Sequence, residues 1–114
     1  MSALVSIVIP AYNSAEFIAE TLDSCLAQTY LHIEIIVVDD GSTDNTVDVV
    51  RAYGDDVRLI EQANQGAAIA RNVGVDVAKG DFVQFCDSDD LLLPTKIERC
   101  MPLIQNQSDV ALAF

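Results

Sequence analysis

The strongest constraint on the fold is a change of hydrophobic period that repeats along the chain. Val5 to Ile9 is a β-branched apolar run broken only by Ser6, and Pro10 ends it. Ile18, Leu22, Cys25 and Leu26 then recur at helical spacing. Ile33 to Val38 is a second strand-like run, followed by Val47 and Val50 in helical register. Val57 to Ile60 reads as a short third strand and Phe82 to Cys86 as a fourth. Between those two lies a helix of small residues, Gly66, Ala67, Ala68, Ala70 and Gly74, which can approach a sheet closely. Pro94 suits the start of a last helix with Ile97, Cys100, Met101 and Ile104 on one face, and Pro102 is expected to kink or shorten it. Strands this apolar are buried on both faces. Their alternation with helices predicts a three-layer, Rossmann-like α/β domain: a mostly parallel sheet with helices on both sides.

Length and charge narrow the class. A chain of 114 residues, 51% hydrophobic, forms one globular domain at most. A formal charge of −12 argues against nucleic acid and anionic lipid as partners. It would also repel a nucleotide, unless a metal or a few placed cations met the phosphates. No apolar run is long enough to span a bilayer, and the first residues lack a signal-peptide layout. Cys25, Cys86 and Cys100 are odd in number and lack metal-ligand spacing, so they read as reduced core thiols of a cytoplasmic protein. Asp109 to Phe114 reads as the start of a strand on which the sequence stops. The expectation is a truncated domain whose uncovered strand edge invites self-association.

Two strands run directly into acids. Phe82–Cys86 leads to Asp87-Ser88-Asp89-Asp90, and the second strand to Asp39-Asp40-Gly41-Ser42-Thr43-Asp44. Open α/β sheets place ligands at the C-terminal ends of their strands. Crowded carboxylates are tolerated in water or around a hard cation, and an oxygen-only set suits Mg²⁺ or Mn²⁺. Taken singly, each motif reads equally as an acidic turn that caps the next helix. Asn13 followed by Glu16 resembles a capping box for the first helix. Neither phosphate-cradling glycine motif, G-x-G-x-x-G or G-x-x-x-x-G-K-(S/T), is present. A bound diphosphate would therefore depend on a cation held by Asp87 and Asp89. Arg71 could pair with Asp39 or Asp40, or reach a phosphate. His32 reads as a surface or turn residue, and no nucleophile–base arrangement assembles.

Taken in order, Val5–Asn13, Val37–Asp44, Asn64-Gln65-Gly66 with Ala70–Gly74, and Gly80-Asp81-Phe82 leading to Asp87–Asp90 resemble the nucleotide-binding half of family-two inverting glycosyltransferases, which have the GT-A fold. The resemblance covers essentially the whole chain, residues 1–114, and implies that an acceptor half is absent. It implies that Pro10, Ala11 and Tyr12 line the nucleotide, and that Asp40, with Asp39 close by, meets the base or ribose. It implies that Gly66, Arg71, Asp87 and Ser88 lie near the nucleotide, and that Asp87 and Asp89 hold Mn²⁺ or Mg²⁺. The donor would be a nucleoside-diphosphate sugar, UDP-linked, and the acceptor a glycan or lipid-linked sugar. The general base would lie beyond Phe114, and the parent protein in the cytoplasm or at the cytoplasmic membrane face. Two rivals remain at this stage. One is a haloacid-dehalogenase-like phosphohydrolase, whose Asp pair normally follows the first strand. The other is a receiver-type binding module, which would need a late lysine where Lys96 sits in a helical pattern.

Overall fold

The computed structural model describes residues 3–105. It contains β1 (Val5–Ala11), α1 (Ile18–Leu26), β2 (Ile33–Asp40), α2 (Thr46–Arg51), a 3₁₀ turn (Gly54–Asp56), β3 (Arg58–Gln62), α3 (Ala67–Val77), β4 (Phe82–Phe85) and α4 (Lys96–Gln105). The four strands form one sheet in the order β3-β2-β1-β4, and every pairing is parallel. The strand expected at residues 109–114 lies outside the described residues. No described helix is long and apolar enough to cross a membrane.

Alternation along β1 and β2 separates the two layers that sandwich the sheet. Val5, Ile7, Ile9, Ile35 and Val37 pack with Ile18, Leu22 and Cys25 of α1, Val50 of α2, and Ile97 and Met101 of α4. Ile36 and Val38 face the other way, onto Ala70 of α3, with Val73 and Val77 alongside. The small residues of α3 have a steric reason. A Cβ on Gly74 would stand 2.3 Å from a methyl of Val8, so only glycine lets the helix lie this close to β1.

Some expected boundaries shift for local reasons. The third strand starts one residue later than its apolar run and extends through Glu61 and Gln62, which pair with Asp39 and Asp40 of β2. Pro102 lies inside α4 and does not end it among the described residues. The capping box does not form, because no side chain caps α1. Asn13 sits at φ 48° instead. Its side-chain oxygen accepts hydrogen bonds from Thr43 N (2.7 Å) and Asp44 N (3.3 Å), fastening the β1–α1 loop to the β2–α2 loop.

β4 is an edge of the described sheet. Phe82 N and Cys86 N donate to Leu4 O and Val8 O of the β1 side, so Val83 and Phe85 turn their backbone groups to the open edge. Gln84 folds its amide to that edge and donates Nε2 to Phe85 O at 2.7 Å. Its Oε1 is buried and has no partner among the described residues. An unmet buried acceptor costs about 1–3 kcal/mol. Gln84→Met keeps the length and removes both the unmet acceptor and the donor to Phe85 O, whose carbonyl lies at the open edge, and is expected to stabilise the chain by up to about 1 kcal/mol in chemical denaturation. A variant destabilised by more than the lost Nε2–Phe85 O hydrogen bond, about 1 kcal/mol, would show that this oxygen has a partner in solution.

Candidate functional site

All four parallel strands point their C-terminal ends at one edge, and the loops there are tied to one another before any ligand is considered. Asp39 and Asp40 are neighbours in sequence but face opposite layers. Asp39 turns to the α1 and α2 side, where its two oxygens accept from Ser42 Oγ (2.5 Å) and Ser42 N (3.1 Å). Ser42 Oγ in turn accepts from Asn13 N at 2.9 Å. Asp39 is thus spent on shaping the turn after β2, and it is not among the residues lining the cavities at this edge.

Asp40 turns to the α3 side and gathers the segment between β3 and α3. Its Oδ1 accepts from Gln62 Nε2 (2.9 Å) and Gln65 N (2.7 Å). Its Oδ2 accepts from Gly66 N (3.0 Å) and, more distantly, from Asn64 Nδ2 (3.4 Å). The Gln62 side chain first, then the backbone N–H groups of Gln65 and Gly66, hold this carboxyl below its ordinary range against the opposing effect of burial. Gly66 adopts φ 102°, a left-handed conformation that a side chain would strain. That conformation brings its N–H onto Asp40 just before α3 begins.

Two cavities meet at this edge. One, of about 310 Å³, is lined by Pro10, Ala11, Tyr12, Asp40, Asn64, Gly66 and Ala67. The other, of about 360 Å³, is lined by Pro10, Tyr12, Asn13, Ser14, Phe17, Ala67, Arg71, Asp87, Ser88 and Asp89. Pro10, Tyr12 and Ala67 belong to both, so the cavities adjoin across the half-exposed Tyr12 ring. The first has prolyl, alanyl and aromatic walls with acceptors and donors at one end, which suits a planar heterocycle. The second carries the acids Asp87 and Asp89 and the cation Arg71 alongside the aromatic rings of Tyr12 and Phe17.

Among the described residues, Asp87, Asp89 and Asp90 each offer a carboxylate oxygen within 4.8 Å of the others, all exposed. Three hard oxygen donors at that spacing fit Mg²⁺ or Mn²⁺. Arg71 does not pair with Asp39 or Asp40 as the sequence allowed. Its Nη2 lies 3.6 Å from Asp87 Oδ1, so it joins the acidic turn. The turn itself is braced against α1: Ser88 Oγ lies 2.5 Å from Ser14 Oγ, and Ser88 O accepts from Thr21 Oγ1 at 3.0 Å. Cys25 and Cys86 are buried and free. The Cys86 side chain, together with burial, pushes the Cys25 thiol far above its ordinary range, so it stays protonated. A cavity of about 450 Å³ lies at the other end of the sheet, against Leu26, Tyr30, Ile33 and Arg58, and holds none of these groups.

The structure therefore brings Pro10, Ala11, Tyr12, Asp40, Gly66, Arg71, Asp87, Ser88 and Asp89 to one continuous surface, and leaves Asp39 beneath it. Sequence reasoning counted Asp90 in the acidic run but assigned the metal to Asp87 and Asp89 alone, whereas all three offer an oxygen to one point. It gave no site role to Asn64 and Gln65, although both stand in the Asn64-Gln65-Gly66 motif, and it missed Ser14, whose polar type carries no signal until the loops are closed. The N-terminal end of α3 faces both cavities through Ala67 and carries no acid in its first turn. Its positive dipole end is available to an anion.

The family described as Glycosyl transferase family 2 matches residues 6–114. The uncharacterized glycosyltransferase YibD of Escherichia coli is 41% identical over 111 residues, covering 94% of this chain and 32% of that protein. Staphylococcus aureus TarS in complex with UDP-GlcNAc superposes with a TM-score of 0.84 at 33% identity, over 90% of this chain and 31% of the other. The Pyrobaculum calidifontis mannosyltransferase PcManGT in complex with GDP-Man and Mn²⁺ gives 0.81 at 29% identity, over 96% and 34%. This chain thus spans about a third of the length of each of these three proteins.

Proposed function

This chain belongs to glycosyl transferase family 2, and from that premise we propose that it forms the nucleotide-sugar-binding part of an enzyme that transfers a sugar, with inversion, from a nucleoside-diphosphate sugar to an acceptor hydroxyl. The observation that carries the reading is the pair of adjoining cavities, one apolar and one acidic, divided by Tyr12. A nucleoside fits the first, and its diphosphate then falls into the second. Complexes of relatives with UDP-GlcNAc and with GDP-Man and Mn²⁺ support the class of ligand. We take the donor here to be UDP-linked and the acceptor to be a glycan or a lipid-linked sugar. The matches favour neither the phosphohydrolase nor the receiver-type reading.

Each residue then has a physical task. Pro10, Ala11 and the Tyr12 ring form the walls against which the base lies. Asp40 is nearly saturated by protein donors, so its weakest partner, Asn64 Nδ2 at 3.4 Å, is the one a nucleoside N–H or O–H displaces. Arg71 and the N-terminal turn of α3 supply positive potential to the phosphates. Asp87 and Asp89, with Asp90, would hold Mn²⁺ or Mg²⁺, which when bound neutralises charge on the leaving diphosphate as a Lewis acid. Ser88 holds the acidic turn in place through Ser14. The reading assigns the general base to sequence beyond Phe114. It places the protein in the cytoplasm or at the cytoplasmic membrane face, in keeping with the free thiols.

A thermal-shift panel tests the reading. UDP or GDP with Mn²⁺ is expected to raise the melting temperature, because a ligand confined to the native state stabilises it by about 2.7 kcal/mol at one hundred times Kd. Adenosine and cytidine diphosphates are expected to do so less. A melting temperature indifferent to every nucleotide, with and without metal, would remove the basis for the assignment.

A further inference from the structure

Phe17 is not spent on the core. It is half-exposed, at 47%, and stands apart from both hydrophobic clusters, whereas the next residue, Ile18, is fully buried. Its backbone enters the first turn of α1 in an ordinary right-handed conformation that requires no aromatic side chain. Phe17 lines the acidic cavity together with Asn13, Ser14 and the Asp87–Asp89 turn. The segment that carries it is rigidly joined to that turn. Phe17 N donates to Ser14 O at 2.9 Å, Ser14 Oγ meets Ser88 Oγ, and Thr21 Oγ1 reaches Ser88 O. Phe17 is therefore held at a fixed place relative to the acidic turn.

A flat apolar ring on a cavity that also holds hydroxyl and amide side chains has the chemistry of a carbohydrate platform. The face of an aromatic ring is electron-rich, and the C–H groups on one face of a hexopyranose are weakly positive. We propose that Phe17 is a specificity-determining residue that stacks against the hexopyranose of the bound donor. This deepens the nucleotide-sugar reading and rests on it. The donor sugar is favoured over an acceptor sugar because it is bonded to the diphosphate, which that reading places in the same cavity. Tyr12 borders both cavities and serves the nucleoside as well, whereas Phe17 borders only the acidic one. Its effect is therefore expected to spare the nucleoside and to fall mainly on the sugar.

Titration calorimetry of the chain in Mn²⁺ separates these contributions. The probes are UDP, UDP-GlcNAc, UDP-glucose, UDP-galactose, GDP and GDP-mannose. Phe17→Ala is expected to weaken the preferred nucleotide sugar about 5- to 10-fold while the matching bare nucleotide changes less than about twofold, a difference worth roughly 1 kcal/mol. Phe17→Tyr is expected to restore the sugar's affinity. Equal losses for nucleotide and nucleotide sugar, or no loss for either, overturn the proposal. A loss seen only when methyl N-acetylglucosaminide is titrated into the UDP-loaded chain moves the ring to the acceptor and overturns the donor assignment. Wild-type protein that binds no nucleotide sinks the functional reading itself. Wild-type protein that binds UDP but gains nothing from any attached sugar sinks only the role of Phe17.

Discussion

Asp89→Ala is expected to abolish the Mn²⁺-dependent thermal shift produced by UDP while leaving the metal-free melting temperature unchanged or slightly raised. The two signs come from one cause. Without a cation, Asp87, Asp89 and Asp90 are three exposed like charges with oxygens within 4.8 Å, and removing one relieves repulsion. With a cation, the same removal deletes a ligand from a set of three. Loss of about 2.7 kcal/mol of ligand stabilisation is the scale at saturating nucleotide. Asp89 is the informative choice because its side chain makes no hydrogen bond or ion pair among the described residues. Asp87, by contrast, is also engaged by Arg71, so Asp87→Ala would release a cation as well as a ligand. Asp90→Ala tests the donor added by the structure and is expected to weaken metal-dependent binding by a smaller factor. A Mn²⁺-dependent shift of wild-type size in Asp89→Ala would show that the cation is held elsewhere.

The fold was legible because its signals are local and periodic. The apolar runs of β1 and β2 could only be doubly buried strands, and the small residues of α3 announced a helix pressed on the sheet, as the Gly74–Val8 approach shows. The acids at strand ends were legible for the same reason, since a parallel sheet sends all such ends to one edge. Hydrogen bonds between loops were not legible. Asn13 has the sequence context of a helix cap, but its oxygen serves the β2–α2 loop some thirty residues away. Arg71 was free to choose any acid in the sequence. Only the crossing of α3 over β1 toward β4 selects Asp87 over Asp39 and Asp40. The paired acids illustrate the limit most clearly. Asp39 and Asp40 look interchangeable in sequence, yet the pleat sends them to opposite layers and gives them different work.

Asp40→Asn should therefore damage the fold and the site together. Each carboxylate oxygen accepts one backbone N–H, from Gln65 and from Gly66. An asparagine can satisfy only one of these with its carbonyl. Its amide then opposes the other as donor against donor, whichever way it is turned. The side-chain amide of Gln62 can flip to offer an oxygen, but Asn64 Nδ2 also donates to Asp40 O at 3.1 Å, and a backbone N–H cannot turn at all. A buried donor left unmet costs about 1–3 kcal/mol, so a loss of about 2 kcal/mol in chemical denaturation is expected. Freed from Asp40, the segment from Asn64 to Ala67 no longer closes its side of the base cavity, and UDP binding is expected to weaken roughly tenfold or more. The stability loss should also depend on pH with a definite sign. The folded carboxyl is held below its ordinary value, so its contribution is fully present above the unfolded pKa of about 3.9 and disappears as pH falls through the folded value. The gap in stability between wild type and Asp40→Asn is expected to be constant from neutral pH to about pH 5 and to narrow below about pH 4. A gap that stayed the same down to the acid transition would mean that Asp40 is not held as a hydrogen-bonded carboxylate. Undiminished UDP affinity in the same variant would separate the loop it fastens from the nucleotide altogether.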